Sequence, residues 1–261
     1  MNKAVFFDID GTLIDCLNGI TDITPRVKKA IRALQAKGNY VFIATGRPYA
    51  FLNEALYNFG FDGFVLTNGA YVKVKDKCIY KEPINKKLVK ELAYNFEELN
   101  IQYILQGEKC SYIKDEYKKL HSFYDSYSIS KKYLEGKYKL EEVDIYKIEM
   151  LCNDKKGIDY CLSLGNTGYE YIQNIEENSF ELYSKTNTKA SGILKVLEHL
   201  NIPIENSYAF GDGKNDIEML STVGCGIAMK NADDFVKSYA SKVTGSVKND
   251  GVALGIETFI L

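Results

Sequence analysis

Two carboxylates two residues apart stand at the start of this chain. They are Asp8 and Asp10, in the stretch Lys3-Ala-Val-Phe-Phe-Asp-Ile-Asp-Gly-Thr-Leu13. Residues i and i+2 of an extended strand point the same way. Carboxylates at that spacing repel each other unless a cation or a shared proton lies between them. Gly11 follows at once and lets the chain turn sharply away. A second acidic group is Asp212 and Asp216, in Gly211-Asp212-Gly213-Lys214-Asn215-Asp216, and between the two lies Thr45-Gly46-Arg47. Each cluster closes a short apolar run. If those runs are parallel strands, all three emerge at one edge of a sheet. Four carboxylates converging there call for a cation, because like charges ~4 Å apart cost several kcal/mol at an intermediate dielectric. The candidate ligands are all oxygens, with no His or Cys cluster among them, which selects a hard ion. Mg²⁺ fits best, held by a few carboxylates with water and a substrate phosphate. Taken singly, each feature has a plainer reading. Asp8 and Asp10 could be loop acids, and Gly211–Asp216 a turn with a helix cap at Asn215 or Asp216. Lys189 sits in the first turn of an expected helix, where a cation opposes the macrodipole. It is either a solvated surface lysine or one whose ammonium reaches an anion.

The elements that must carry these residues read as an α/β pattern. Ala4–Phe7 is a continuous apolar run, as expected of a strand buried on both faces of a parallel sheet. Leu13 to Ile23 reads as a flap or hairpin beside the site. Thr24-Pro25 opens a helix with Val27, Ala30, Ile31 and Leu34 on one face, ended by Gly38. Tyr40–Ala44 is the next strand, so strand, helix and strand form a parallel βαβ unit. Pro48 is expected to start a helix through Phe51, Leu52, Ala55 and Leu56. A strand at 64–66 ends on Thr67-Asn68-Gly69-Ala70, and a hairpin follows that turns at Asp76-Lys77. From about Glu82 the composition shifts: fourteen of the twenty tyrosines lie between Tyr80 and Tyr183. Strand-like and helical segments there predict an inserted α+β domain with a sheet of its own. The parallel pattern resumes with a helix at Lys189, a strand at 207–210 and alternating elements to the C-terminus. The expected fold is a doubly wound, mostly parallel Rossmann-like sheet core, discontinuous over residues 1–82 and 185–261, with an α+β cap domain at 83–184.

Apolar residues make up 46% of the 261, enough for a core and against disorder. A formal net charge of −2 gives no electrostatic argument for nucleic acid or a membrane surface. No apolar run approaches the ~18 residues of a membrane span, and no leader pattern opens the chain. Six cysteines without close pairing read as reduced thiols. The expected location is cytoplasmic, with no obligate protein partner.

The series Asp8-Ile-Asp10-Gly11-Thr12, Thr45-Gly46-Arg47, Lys189 and Gly211-Asp212-x-x-Asn215-Asp216 resembles the four motifs of haloacid-dehalogenase (HAD) superfamily phosphatases. The long insertion between Thr45 and Lys189 resembles that of the type II members. Thr45-Gly46-Arg47, Thr67-Asn68-Gly69-Ala70 and Gly226-Ile-Ala-Met-Lys-Asn-Ala232 resemble the Cof-like, type IIB branch. The resemblance implies a two-step phosphoryl transfer in which Asp8 attacks phosphorus and forms an aspartyl-phosphate. Asp10 would protonate the leaving alkoxide and then deprotonate the hydrolytic water. It also implies Mg²⁺ held by Asp8, the backbone carbonyl of Asp10 and Asp212, with Asp216 a further or water-mediated ligand. Thr45, the Gly46 amide and Lys189 would bind the phosphoryl oxygens, and Asn215 would assist or orient Lys189. Arg47 could reach substrate or pair with an acid in the core. The expected activity is Mg²⁺-dependent hydrolysis of a small phosphorylated metabolite, a sugar phosphate before others. A phosphomutase, or a silent regulator that binds phosphorylated ligands, are the alternatives.

Overall fold

The computed structural model describes residues 2–126, 129, 131–166, 169–174 and 178–261; Tyr127, one of the inserted tyrosines, lies outside them. The chain divides into two compact units. The first holds Met1–Gly46, Asn53–Lys81 and Thr188–Leu261, and the second holds Arg47–Leu52 and Glu82–Asn187.

The first unit is built on an eight-stranded sheet. In spatial order its strands are Lys242–Val243, Cys225–Ala228, Ser207–Gly211, Ala4–Phe7, Tyr40–Ala44, Gly63–Leu66, Tyr71–Val74 and Lys77–Lys81. The first six run parallel, and the last two add an antiparallel hairpin. Ala4–Phe7 is fully buried, which is why four apolar residues run without alternation. From that central strand the chain winds outward through Tyr40–Ala44 to Gly63–Leu66. It later returns to Ser207–Gly211 on the other side and winds outward again. The winding reverses between Ala4–Phe7 and Ser207–Gly211, and in doubly wound sheets ligands bind beyond the carboxyl ends of the strands at that point. Phe7 pairs in register with both Phe210 and Ile43, so Asp8, Asp212 and Thr45 leave adjacent strands at the same end.

Two helices show how local sequence fixes this frame. Thr24 caps Pro25–Ala36 by accepting the Val27 amide, and Val27, Ala30, Ile31 and Leu34 form its buried face. Thr188 and Ser191 make a reciprocal capping box at the start of Lys189–Leu200. That helix buries Ile193, Val196 and Leu197 in one core with Phe6, Phe42 and Val65. The cap holds the helix start in place, and with it Lys189.

Two expectations at the level of elements need correction, and one helix went unread. Pro48 does not open a continuous helix: a single turn at Tyr49–Phe51 ends at extended Leu52, and Asn53 then caps a separate helix, Glu54–Asn58, by accepting the Leu56 amide. The asparagine cap, read as a helix interior position, is the reason. The hairpin turns at Lys75-Asp76, one residue earlier than expected, with Lys75 at φ 51°. Helix Lys118–Ser126 carried no start signal in the sequence and was not anticipated.

The second unit is α+β. Its six-stranded sheet runs Tyr169–Asn174, Ser179–Ser184, Ile145–Leu151, Gln102–Gly107, Ser111–Ile113, Leu134–Glu135, antiparallel except for the last pair. Tyr103, Leu105, Ile148, Met150, Phe180 and Leu182 share one apolar core with Val89, Leu92 and Phe96 of helix Lys86–Glu98. Alternate residues carry charge instead. Lys147 is buried and pairs with Glu149 at 3.0 Å and Glu181 at 2.8 Å, while Gln106 and Tyr124 donate to Glu149. Among the described residues, no helix is long and apolar enough to cross a membrane.

Candidate active site

Lys189 is the point on which the acidic residues converge. Its ammonium is 1% exposed and donates to Asp8 Oδ1 and to Asp216 Oδ1, each at 2.6 Å. The second oxygen of Asp216 accepts the backbone amides of Asp212 and Gly213, both at 2.9 Å. Asp216 is thus held by three donors and holds Lys189 in turn, which makes it a positioning residue for the lysine. Asp8 is held from behind, its amide donating to the Phe210 carbonyl at 3.0 Å.

Asp212 has its own clamp. Thr12 Oγ1 donates to Oδ1 at 3.1 Å, and Asn231 Nδ2 to Oδ2 at 3.1 Å. The same Asn231 amide reaches the Gly11 carbonyl at 2.9 Å, and its oxygen accepts the Val247 amide. Gly11 is required here on two counts. Its φ is +80°, and a Cβ would stand 2.1 Å from Asp212 Oδ2. Thr12 and Asn231 drew no assignment from the sequence. The signal was present, since Thr12 follows the Asp pair and Asn231 lies in Gly226–Ala232, but nothing local shows that both reach Asp212.

One carboxylate oxygen from each of Asp8, Asp212 and Asp216 lies within 4.8 Å of the others. Burial first, and then Asp216, push the Asp8 carboxyl well above its ordinary pKa, against the pull of Lys189. Burial and Asp216 likewise push Asp212 up to about 6. Burial works against the Lys189 charge, but the two carboxylates outweigh it and raise its pKa. The shifts describe one condition: burial strips water from the cluster and a single ammonium faces more negative charge than it can balance, so Asp8 and Asp212 tend to keep protons. A divalent cation would remove that excess. Three convergent carboxylates, with water and a phosphate completing the shell, suit the oxygen-rich, octahedral preference of Mg²⁺. The donor set therefore fits the ion.

The remaining candidates are placed less uniformly. Asp10 is exposed, one residue beyond buried Ile9, and bridges through its backbone to Ile14. Thr45 is buried; its amide donates to the Val65 carbonyl and its carbonyl accepts the Asn68 amide. A Cβ on Gly46 would meet Asn68 Oδ1 at 3.0 Å and Asn215 Nδ2 at 3.6 Å, so Gly46 and Asn215 are neighbours. Arg47 belongs to the second unit, where its guanidinium donates to the Phe51 carbonyl at 2.9 Å.

Residues 5–256 match the family described as haloacid dehalogenase-like hydrolase. A Bacillus subtilis protein with a provisional phosphatase name, YkrA, is 30% identical over 98% of this chain and 97% of its own. The B. subtilis 5-amino-6-(5-phospho-D-ribitylamino)uracil phosphatase YcsE is 30% identical over 99% of this chain and 96% of its own. The structure of BT4131, described as a HAD subclass IIB sugar phosphatase, superposes with a TM-score of 0.80 at 30% identity, covering 99% of both chains.

Proposed function

Since the chain belongs to the haloacid dehalogenase-like hydrolases, in their type IIB phosphatase branch, we propose that it is a Mg²⁺-dependent phosphatase of a small phosphorylated metabolite. The observation that carries this reading is the Lys189 ammonium bridging Asp8 and Asp216 beside Asp212. A phosphate monoester brings negative charge, a cation balances it, and a buried lysine completes the cradle.

Asp8 is the nucleophile. It stands at the sheet edge with Oδ1 held by Lys189, which leaves Oδ2 to meet phosphorus. Asp10, exposed just beyond the bend at Ile9, protonates the leaving oxygen and then takes the proton of the attacking water. Bound Mg²⁺, held by Asp8, the Asp10 carbonyl and Asp212 with Asp216 behind them, would supply charge neutralisation at the phosphoryl oxygens. Thr45, the Gly46 amide and Lys189 bind those oxygens, with Asn215 beside Gly46. Uncatalysed monoester hydrolysis is slow enough to need up to ~10²¹-fold acceleration. Phosphoryl transfer asks mainly for positioning and electrostatics, which this cluster offers.

For the substrate we propose a phosphate ester of a sugar or polyol. Support comes from the sugar phosphatase structure and the phosphoribitylamino-uracil phosphatase among its relatives. The chemistry belongs to the first unit and the choice of substrate to the second, in a cytoplasmic enzyme. The test is a phosphate-release screen over sugar phosphates, nucleotides and cofactor phosphates with Mg²⁺, using Asp8→Asn as the blank. Release of free phosphate without a bisphosphate activator marks a phosphatase rather than a mutase. Absence of turnover across the panel, or retained turnover in Asp8→Asn, would refute the assignment.

A further inference from the structure

The turn after strand Gly63–Leu66 is the most constrained backbone near this cluster. Thr67, Asn68 and Gly69 stand in succession at φ 48°, 53° and 93°. For a β-branched residue such as Thr67 that conformation is costly, and runs of it are retained where the surroundings enforce them. Here they do. A Cβ on Gly69 would come 2.2 Å from the Thr188 carbonyl, so the turn is pressed against the start of the helix that carries Lys189. On its other side the Asn68 amide donates to the Thr45 carbonyl at 3.1 Å.

What the turn presents is unusual. Thr67 Oγ1 and Asn68 Oδ1 are buried, and neither has a hydrogen-bond partner among the described residues. A buried polar atom left unpaired costs about 1–3 kcal/mol. Asn68 Oδ1 lies over Gly46, at 3.0 Å from where a Cβ would stand, with Asn215 Nδ2 across the same spot. Only glycine leaves that space open, and it is bordered by a backbone amide and two carboxamides. A carboxamide has an acceptor end and a donor end. A half-turn about its last bond puts the Asn68 nitrogen where Oδ1 now stands, and an anion would favour that end.

We propose that the Asn68 side chain is a further phosphoryl-binding group, donating to the bound phosphate beside the Gly46 amide and opposite Asn215. This rests on the phosphatase reading for its ligand, but not for its test. The plainer explanation is that asparagine is there for its backbone alone, because it tolerates the left-handed region. Asn68→Gly separates the two. Glycine suits that backbone at least as well and removes only the carboxamide.

The experiment titrates inorganic phosphate into the wild type and Asn68→Gly in buffer containing Mg²⁺, by calorimetry, beside thermal melts of both. We expect the variant to bind phosphate about tenfold more weakly with an unchanged or higher melting temperature. Where the screen has found a substrate, kcat/KM should fall by about ten- to a hundredfold. Weakened phosphate binding supports the proposal even if the wild type turns nothing over, which would sink the phosphatase reading alone. Affinity within about twofold of the wild type overturns it, as does a wild type that binds no phosphate. Should Asn68→Gly not fold, Asn68→Asp, of the same shape and also tolerant of the left-handed region, takes its place. It is expected to bind phosphate more weakly still, and wild-type affinity in it would overturn the proposal.

Discussion

Replacing Lys189 with methionine should destabilise the metal-free protein in a way that depends strongly on pH. The ammonium is fully buried and touches two carboxylates at 2.6 Å. It balances one of them. Once it is gone, one more carboxyl must either sit buried and charged or take up a proton. The first course costs several kcal/mol. The second is bounded: holding a proton at pH 7 on a group whose ordinary pKa is 3.8 costs about 1.4 kcal/mol per pH unit, or about 4 kcal/mol. At pH 5 the same bound falls to about 2 kcal/mol. The sign follows from linkage. A carboxyl whose folded pKa is raised holds its proton more tightly in the folded state, so its contribution is retained at low pH and lost as pH rises from 3.8 through the folded value. Urea denaturation of wild type and Lys189→Met in EDTA, at pH 5 and pH 7, gives the two differences. We expect about 4 kcal/mol at pH 7 and about half that at pH 5, with millimolar Mg²⁺ recovering part of the loss. A loss below about 1 kcal/mol at pH 7, or one equal at both pH values, would show that Lys189 does not balance a buried carboxylate.

Other outcomes follow from the same geometry. Mg²⁺ affinity measured by calorimetry should fall as pH drops through about 6, where Asp212 takes its proton, by up to about tenfold per pH unit, with Asp8 acting in the same direction. Gly11→Ala should weaken Mg²⁺ binding and lower stability by at least about 1 kcal/mol, since it combines a positive φ with a Cβ driven into Asp212. In the second unit, Lys147→Met strands Glu149 and Glu181 and should cost about 2 kcal/mol at pH 7 by urea denaturation. The figure lies below that for a fully enclosed pair because the Glu181 side chain is 38% exposed. It should shrink near pH 5 as the carboxyls protonate.

The parallel core could be read from the sequence because its strands are short apolar runs that end abruptly in chemistry. Phe7 gives way to Asp8, Ala44 to Thr45, and Gly211 to Asp212. A strand buried on both faces leaves no other pattern, and each run ended at its first polar residue. The partners of those residues were not legible. Thr12, Asn231 and the Asn68 turn act through contacts made across the fold, and each alone is an ordinary turn residue. Asn53 shows the same limit locally: it caps a helix, yet its neighbours Phe51, Leu52, Ala55 and Leu56 fit a continuous helical face. Lys147 was hidden among many lysines in the insertion. Only the pairing of Ile145–Leu151 with Ser179–Ser184 brings it between Glu149 and Glu181.

The most direct test of the proposed chemistry is to look for a trapped aspartyl-phosphate. The enzyme is mixed with Mg²⁺ and a substrate from the screen carrying radiolabelled phosphate, quenched in acid within one turnover, and digested. Label is expected on the peptide containing Asp8, released by hydroxylamine as an acyl phosphate should be. Free phosphate formed with no label on the protein, or label on any other residue, would contradict the proposed chemistry.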